Sequence, residues 1–287
     1  MATSGERFRF TKMTGSGNDF IIMDNRDQHI GPERYPMLAR MACRRKLSVG
    51  SDGIIFIEND PEVDFKWSFF NADGSAAEMC GNGARCAARF AHIHKIVTNE
   101  SMAFRTLAGI IEATIKGERV KIRMTPPHSF EADLEVEAVD RSFRLHFINT
   151  GVPHVVWLAA DASDLEHAEV FSWGRALRHH PRFQPAGTNV NFIAVQDDHR
   201  LLIRTYERGV EDETLACGTG SIASALVAAS RSLAASPVEV VTRSGEVLTI
   251  YFQQNDGDKK GQFSEVYLEG DAKVVYEGEL WDETLTR

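Results

Sequence analysis

Short apolar runs rich in Ile, Val and Phe recur along the chain, each bounded by Gly, Asn or Asp. Runs of this length between turn residues predict strands. In the first half they are Phe20 to Met23, Ile54 to Glu58, Trp67 to Phe70, Ile110 to Ile115 and Val120 to Met124. In the second they are His154 to Leu158, Asn191 to Val195, Leu201 to Tyr206, Val238 to Thr242 and Val247 to Phe252. Two Ala-rich segments, Ala84 to His92 and Ser221 to Ser230, predict the main helices. Further helix patterns cover Tyr35 to Arg44 and Trp173 to His179. Many strands with few helices predict the α+β class.

The pattern occurs twice. At an offset of 136 to 137 residues, Gly50 to Ile57 falls on Gly187 to Ala194, and Cys80-Gly81-Asn82-Gly83 falls on Cys217-Gly218-Thr219-Gly220. Thr106 and Gly109 fall on Thr242 and Gly245, and Gly15 on Gly151. One shared C-G-x-G is weak evidence, whereas four segments in one order at one spacing point to duplication. Two similarly folded halves are expected, residues 1–135 carrying Cys80 and 136–287 carrying Cys217. Each is a mixed sheet with one main helix, which begins just after its C-G-x-G. Equivalent halves should turn these motifs toward one another and hold a small ligand in the cleft between them.

Composition narrows the classes. A chain of 287 residues with 43% apolar and 25% charged residues suits an ordinary globular protein that can bury its core without staples. A net charge of −9 argues against a nucleic-acid partner, which needs a basic face. No apolar run approaches the roughly 18 residues of a membrane span. The stretch from Met1 to Phe10 is polar and lacks the apolar segment of a signal peptide, so a cytoplasmic location is expected. There are four cysteines, Cys43, Cys80, Cys86 and Cys217, and no pair has C-x-x-C spacing. His92 and His94 lack further ligands nearby, so no metal site is expected.

The duplicated cysteines carry the candidate chemistry. Glycines after each cysteine let backbone approach a ligand. The first amides of the following helix have no intrahelical partner and, with the helix dipole, suit a carboxylate. A cysteine there gains thiolate character. Two such ends can hold one carboxylate with a thiol on each side of the adjacent carbon. One thiolate then removes the α-proton and the opposite thiol returns another, inverting the centre. No nucleotide or cofactor motif accompanies them. Cys86, six residues beyond Cys80, and Cys43, near the end of a predicted helix, read as packing residues.

At these residues the chain resembles the diaminopimelate epimerase family. The matching stretches are Lys12 to Phe20, Phe70 to Ser75, Cys80 to Cys86, Gly151 to His154, Asn189, Tyr206 to Gly209 and Ala216 to Gly220. The resemblance implies two pseudo-symmetric halves, each a barrel-like sheet around a central helix. It implies cofactor-independent interconversion of LL- and meso-diaminopimelate on the route to lysine and peptidoglycan. Cys80 and Cys217 would be the bases. Gly81, Asn82, Gly218 and Thr219 would hold the reacting carboxylate. Asn18, Asn71, Asn189 and Arg208, with Glu207 nearby, would recognise the far end of the substrate, and His154 and Glu207 would be auxiliary polar groups. The resemblance allows a homodimer. Two positions depart from the pattern of some members: Val152 stands where they have Asn, and Gly53 where they have Gln. The bare residues leave three other readings open: a racemase for another amino acid, a thiol switch closing a Cys80–Cys217 disulfide, and a plain amino-acid-binding protein.

Overall fold

The computed structural model describes residues 7–254 and 262–285. The first six residues of the polar N-terminal stretch therefore lie outside the described residues. Contacts divide the chain into two units. One runs to Ile122 and resumes at Gly270; the other is Arg123–Glu269.

The first unit holds β1 (Arg7–Gly15), β2 (Asn18–Asp24), β3 (Gly53–Glu58), β4 (Phe65–Asn71), β5 (Ser101–Thr106), β6 (Gly109–Lys116) and most of β7 (Arg119–Arg123), with helices α1 (Tyr35–Ala42) and α2 (Gly81–Ile93). From β1 to β7 successive strands pair antiparallel, parallel, antiparallel, parallel, antiparallel and antiparallel. The second unit holds β8 (His128–Ala138), β9 (Arg141–Asn149), β10 (Pro153–Leu158), β11 (Asn189–Asp197), β12 (Arg200–Glu207), β13 (Asp212–Thr214), β14 (Val238–Val241), β15 (Val247–Gln254) and most of β16 (Phe263–Asp271). Its helices are α3 (Ala162–Glu166), α4 (Val170–Arg178) and α5 (Gly218–Ser230). The pairings β9–β10, β10–β11, β11–β12, β12–β14, β14–β15 and, within the second unit, the antiparallel ladder of β15 with β16 complete the strand order. The first five alternate as in the first unit, and the sixth is again antiparallel. The duplication read in the sequence is thus a duplication of topology.

The boundary between units falls at Ile122/Arg123, upstream of the expected 135/136, and the C-terminal strand changes sides. β8 pairs antiparallel with β9, so residues from 128 onwards join the second unit. By the same rule β17 (Lys273–Trp281) pairs antiparallel with β1 and returns to the first. Each unit therefore takes the strand that precedes its own repeat in circular order.

The helices at the centre of each unit follow from composition. In α5 every residue from Gly220 to Ser230 is buried, and in α2 every residue from Asn82 to Ala88 is. A helix buried all round needs small residues for strands to approach it closely. β3 and β11, which lie beside these helices, are buried on both faces. Along β3 all six residues are buried: Ile54 and Phe56 join a core shared with Tyr35 and Leu38 of α1, while Ile55 lies beside Gly83 of α2. In the second unit Val190, Phe192 and Ala194 of β11 pack with Trp157, Trp173 and Leu177, beneath α3 and α4. The alternating residues Asn191 and Ile193 consequently face the other way, toward α5. The predicted α1 ends at Ala42, short of Arg44.

Candidate active site

Each cysteine of the repeated motif is the N-cap of a central helix. Cys80 has φ/ψ of −146°/116° and Cys217 −132°/110°, both extended. The Ala84 amide donates to the Cys80 carbonyl at 2.8 Å, and the Ser221 amide to the Cys217 carbonyl at 2.9 Å. The three amides before each of these precede the first intrahelical bond. Neither cysteine side chain caps them, and neither helix carries an acidic residue in its first turn. Both ends are therefore open to an external anion. Cys80 is partly exposed and Cys217 is 8% exposed. Cys43 differs in kind: burial pushes its thiol up to about 12, as suits a packing residue. Cys86 is fully buried, its sulfur 3.3 Å from where a β-carbon on Gly15 would stand.

In the first unit a polar chain fixes the turn after Cys80. Asn82 Nδ2 donates to Asn18 Oδ1 at 2.8 Å, and Asn18 Nδ2 donates to Asp52 Oδ2 at 3.0 Å. The fully buried Arg85 donates to Asn82 Oδ1 at 2.9 Å and to Ser16 Oγ at 2.7 Å. Asp52 and Asp19 share the Arg45 guanidinium, and Lys12 Nζ lies 2.8 Å from Asp19. Burial alone would raise the Asp19 carboxyl, but hydrogen bonds from Arg45 and Lys12 outweigh it and hold it below its ordinary value. Asn71 sits on an exposed turn: its Nδ2 donates to Ser75 Oγ at 3.0 Å, and the next amide, of Ala72, donates to the Asp52 carbonyl. Asn18, Asn82 and the Asn71 turn thus converge on Asp52. The departure at Gly53 has a steric cause. A β-carbon there would stand 2.8 Å from the Phe70 carbonyl oxygen and 2.5 Å from the Phe69 ring, so no Gln fits.

In the second unit Thr219 Oγ1 lies 3.6 Å from Cys217 Sγ, and the Thr219 carbonyl accepts from Thr150 Oγ1 at 3.0 Å. Gly218 is partly exposed. Asn189 is 4% exposed with its carboxamide spent on backbone: Nδ2 donates to the Pro153 carbonyl at 3.0 Å, and Oδ1 accepts the Arg208 amide at 2.8 Å. Arg208 Nη1 donates to the Ala186 carbonyl at 2.8 Å. The turn that carries Arg208 is wrapped on Glu211, whose carboxylate accepts from the Gly209 amide at 3.0 Å and pairs with Arg178 at 3.1 Å. His154 is completely buried, and burial with the nearby Arg208 charge pushes it down to about 3. It is therefore a neutral imidazole.

Burial also pushes the Glu207 carboxyl above its ordinary value. A raised carboxylic acid stabilises the fold fully below its unfolded pKa, and that contribution is lost as pH rises through the folded one. Glu207→Gln, which copies the neutral form, is expected to raise Tm near pH 7. The gain should shrink toward about pH 4. Thermal unfolding across that range checks it, and an unchanged or lowered Tm at pH 7 contradicts the direction.

Asn191, Thr205, Ser16, Arg85, Asp52 and Glu211 complete these surroundings and are not among the residues singled out in the sequence. Asp52 and Asn191 lie inside the repeated segments Gly50 to Ile57 and Gly187 to Ala194, the one signal that could have raised them.

The profile described as diaminopimelate epimerase matches residues 10–129 and 146–275. A diaminopimelate epimerase of Hydrogenobaculum sp. is 48% identical over 94% of this chain and 97% of its own length. One of Aquifex aeolicus is 46% identical over 96% of this chain and 99% of its own. Among solved structures, the Bacillus anthracis phenazine biosynthesis protein of the PhzF family has the same fold, with a TM-score of 0.72 at 16% identity over 96% of this chain and 99% of that one.

Proposed function

Since this chain belongs to the diaminopimelate epimerase family, we propose that it interconverts LL- and meso-2,6-diaminopimelate by two-base proton transfer at one α-carbon, with Cys80 and Cys217 as the bases and no cofactor. The observation that carries this reading is the matched pair of cysteine N-caps, alike in backbone geometry and in the Gly-x-Gly that follows. One cysteine enters as thiolate and takes the α-proton. The electron pair left on carbon delocalises into the carboxylate. The other thiol delivers its proton to the opposite face, and the two sulfurs have exchanged roles.

The difficult step is charging the carboxylate. The open amides of Gly81, Asn82, Gly218 and Thr219 at helix N-termini are fixed donors for that charge, the kind of stabilisation that contributes most to such reactions. The Asn18–Asn82–Arg85 chain keeps the first of these turns rigid. Arg208 supplies a planar fork for the distant carboxylate, and Asn189 orients Arg208 through its amide. Asn18, Asn71 and Glu207 serve the far amino-carboxylate end, and His154 is an auxiliary group on the Cys217 side. With Val152 and Gly53 apolar, the far end depends more heavily on Arg208 than in members with two amides there. The reaction belongs to lysine and peptidoglycan precursor synthesis in the cytoplasm. No helix among the described residues is long and apolar enough to cross a membrane.

The test is NMR of LL-diaminopimelate in heavy water with the reduced protein. Loss of the α-proton signal together with appearance of the meso isomer is expected. Exchange of other amino acids but not of diaminopimelate would remove the substrate assignment.

A further inference from the structure

We infer that Asn191 is a positioning residue that fixes His154 as the neutral tautomer with its proton on Nε2. Strand alternation brings three buried polar side chains to the α5 side of the second unit's sheet: His154 of β10, Asn191 of β11 and Thr205 of β12, each at most 3% exposed. Asn191 pairs with Thr205 across β11–β12 and with Val156, two residues beyond His154, across β10–β11.

The hydrogen bonds leave one protonation pattern. Asn191 Nδ2 donates to the Val155 carbonyl at 3.0 Å, and a carbonyl only accepts, so this bond sets which end of the carboxamide is nitrogen. Asn191 Oδ1 accepts from Thr205 Oγ1 at 3.0 Å, which agrees. The second Nδ2 hydrogen then points to His154 Nδ1 at 3.1 Å. That nitrogen must offer a lone pair, so the ring proton sits on Nε2. An imidazolium would set two N–H groups against each other, and its burial beside Arg208 already disfavours the charge. Among the described residues Nε2 is buried with no hydrogen-bond partner. The imidazole therefore presents a fixed donor and cannot serve as a proton acceptor through Nδ1.

The same carboxamide lies directly under α5. A β-carbon on Gly220 would fall well inside contact with Asn191 Oδ1 and 3.2 Å from Cys217 Sγ. Asn191 thus ties the histidine's proton to the helix end that carries the cysteine. The tautomer stands on these bonds alone; its value for turnover rests on the proposed epimerase reading.

Two-bond proton–nitrogen correlation on protein labelled with ¹⁵N-histidine tests it, with His154→Gln used to assign the signals. The expected result is a protonated Nε2 and a bare Nδ1, with no titration between about pH 5 and 9. A proton on Nδ1, or an imidazolium forming in that range, overturns the assignment. Asn191→Asp is isosteric and can only accept, so the proton should move to Nδ1 or a second proton should bind. Asn191→Ala removes the donor without adding charge and should leave both tautomers populated, which keeps the question open to measurement if the Asp variant does not fold. A single unchanged Nε2–H tautomer in both variants overturns the role of Asn191. Diaminopimelate turnover should fall at least about tenfold in whichever variant shifts the proton, with an unchanged far-UV spectrum; a histidine in the wrong tautomer can cost far more. Full turnover with a shifted proton overturns the positioning role. Absence of diaminopimelate turnover in the wild-type protein defeats the substrate reading and leaves the tautomer to be judged by NMR.

Discussion

Cys80→Ala and Cys217→Ala are each expected to lose inversion of diaminopimelate by about 10²-fold at the least, the lower end of what a positioned acid or base contributes. The loss should exceed that, because each thiol is the only group assigned to its face of the carbon. Folding should persist. Cys80 is partly exposed, so its sulfur contributes little to the core, and at Cys217, 8% exposed, one heavy atom is lost beside Gly220. A change of about 1 kcal/mol or less in unfolding free energy is expected from such a small void. The informative residue of activity is exchange without inversion. A lone thiolate can remove a proton and return deuterium to the same face, so each variant should wash solvent label into one stereoisomer while forming little of the other. Inversion near the wild-type rate in either variant would end the two-base mechanism. Cys86→Ala, by contrast, removes a fully buried sulfur and should lower stability while leaving the kinetics alone.

Much of the fold can be read along the chain because the central strands are buried on both faces. The runs Ile54 to Glu58 and Asn191 to Val195 fall inside β3 and β11, and the Ala-rich segments fall inside α2 and α5. Among the strands not read, β1, β5, β9 and β16 bury several residues each but mix them with polar ones, while β8 and β17 have little to bury. β8, from His128 to Ala138, has Val136 as its one buried residue, and β17 has Leu280. Their partners are also a tertiary matter. That β17 closes the first unit and β8 the second follows from which neighbour each strand finds, and nothing local to either segment encodes it.

The site divides along the same line. The cysteine motifs announce themselves because paired glycines in the first turn of a helix have few structural uses besides close approach. The groups that hold the motif in place do not. Asn189 offers a carboxamide on paper and spends its N–H on the Pro153 carbonyl and its oxygen on the Arg208 amide. Asn191 reads only as the polar first residue of a strand run, and the alternation of β11 turns it inward to His154. A buried polar side chain is recognised by its partners, which come from other strands.

The two motif glycines that open into helices separate packing from chemistry. Gly83 and Gly220 hold equivalent places, and in both helices Ala would ordinarily be favoured over Gly by about 0.5–1 kcal/mol. At Gly83 an added β-carbon meets Ile55 and Trp67 at 3.4 Å and Phe20 at 3.5 Å, ordinary apolar contact. Gly83→Ala should therefore keep or raise stability. At Gly220 the same carbon is driven into the Asn191 carboxamide and to 3.2 Å from Cys217 Sγ. Asn191 cannot retreat, because Val155, Thr205 and His154 hold it on three sides. Either the first turn of α5 lifts away or the carboxamide bonds break, and overpacking of this kind costs about 1–3 kcal/mol, outweighing the helix gain. Gly220→Ala should lower Tm by several degrees and displace Cys217 from its N-cap geometry. A shift of about 1 Å at a reacting group can cost about 10²-fold in rate, so turnover should fall far more than the loss of folded protein explains. Calorimetry with kinetics on the two variants checks the contrast. Equal behaviour of Gly83→Ala and Gly220→Ala would mean that the carboxamide does not brace the second cysteine, and the asymmetry between the two helix ends would lose its physical basis.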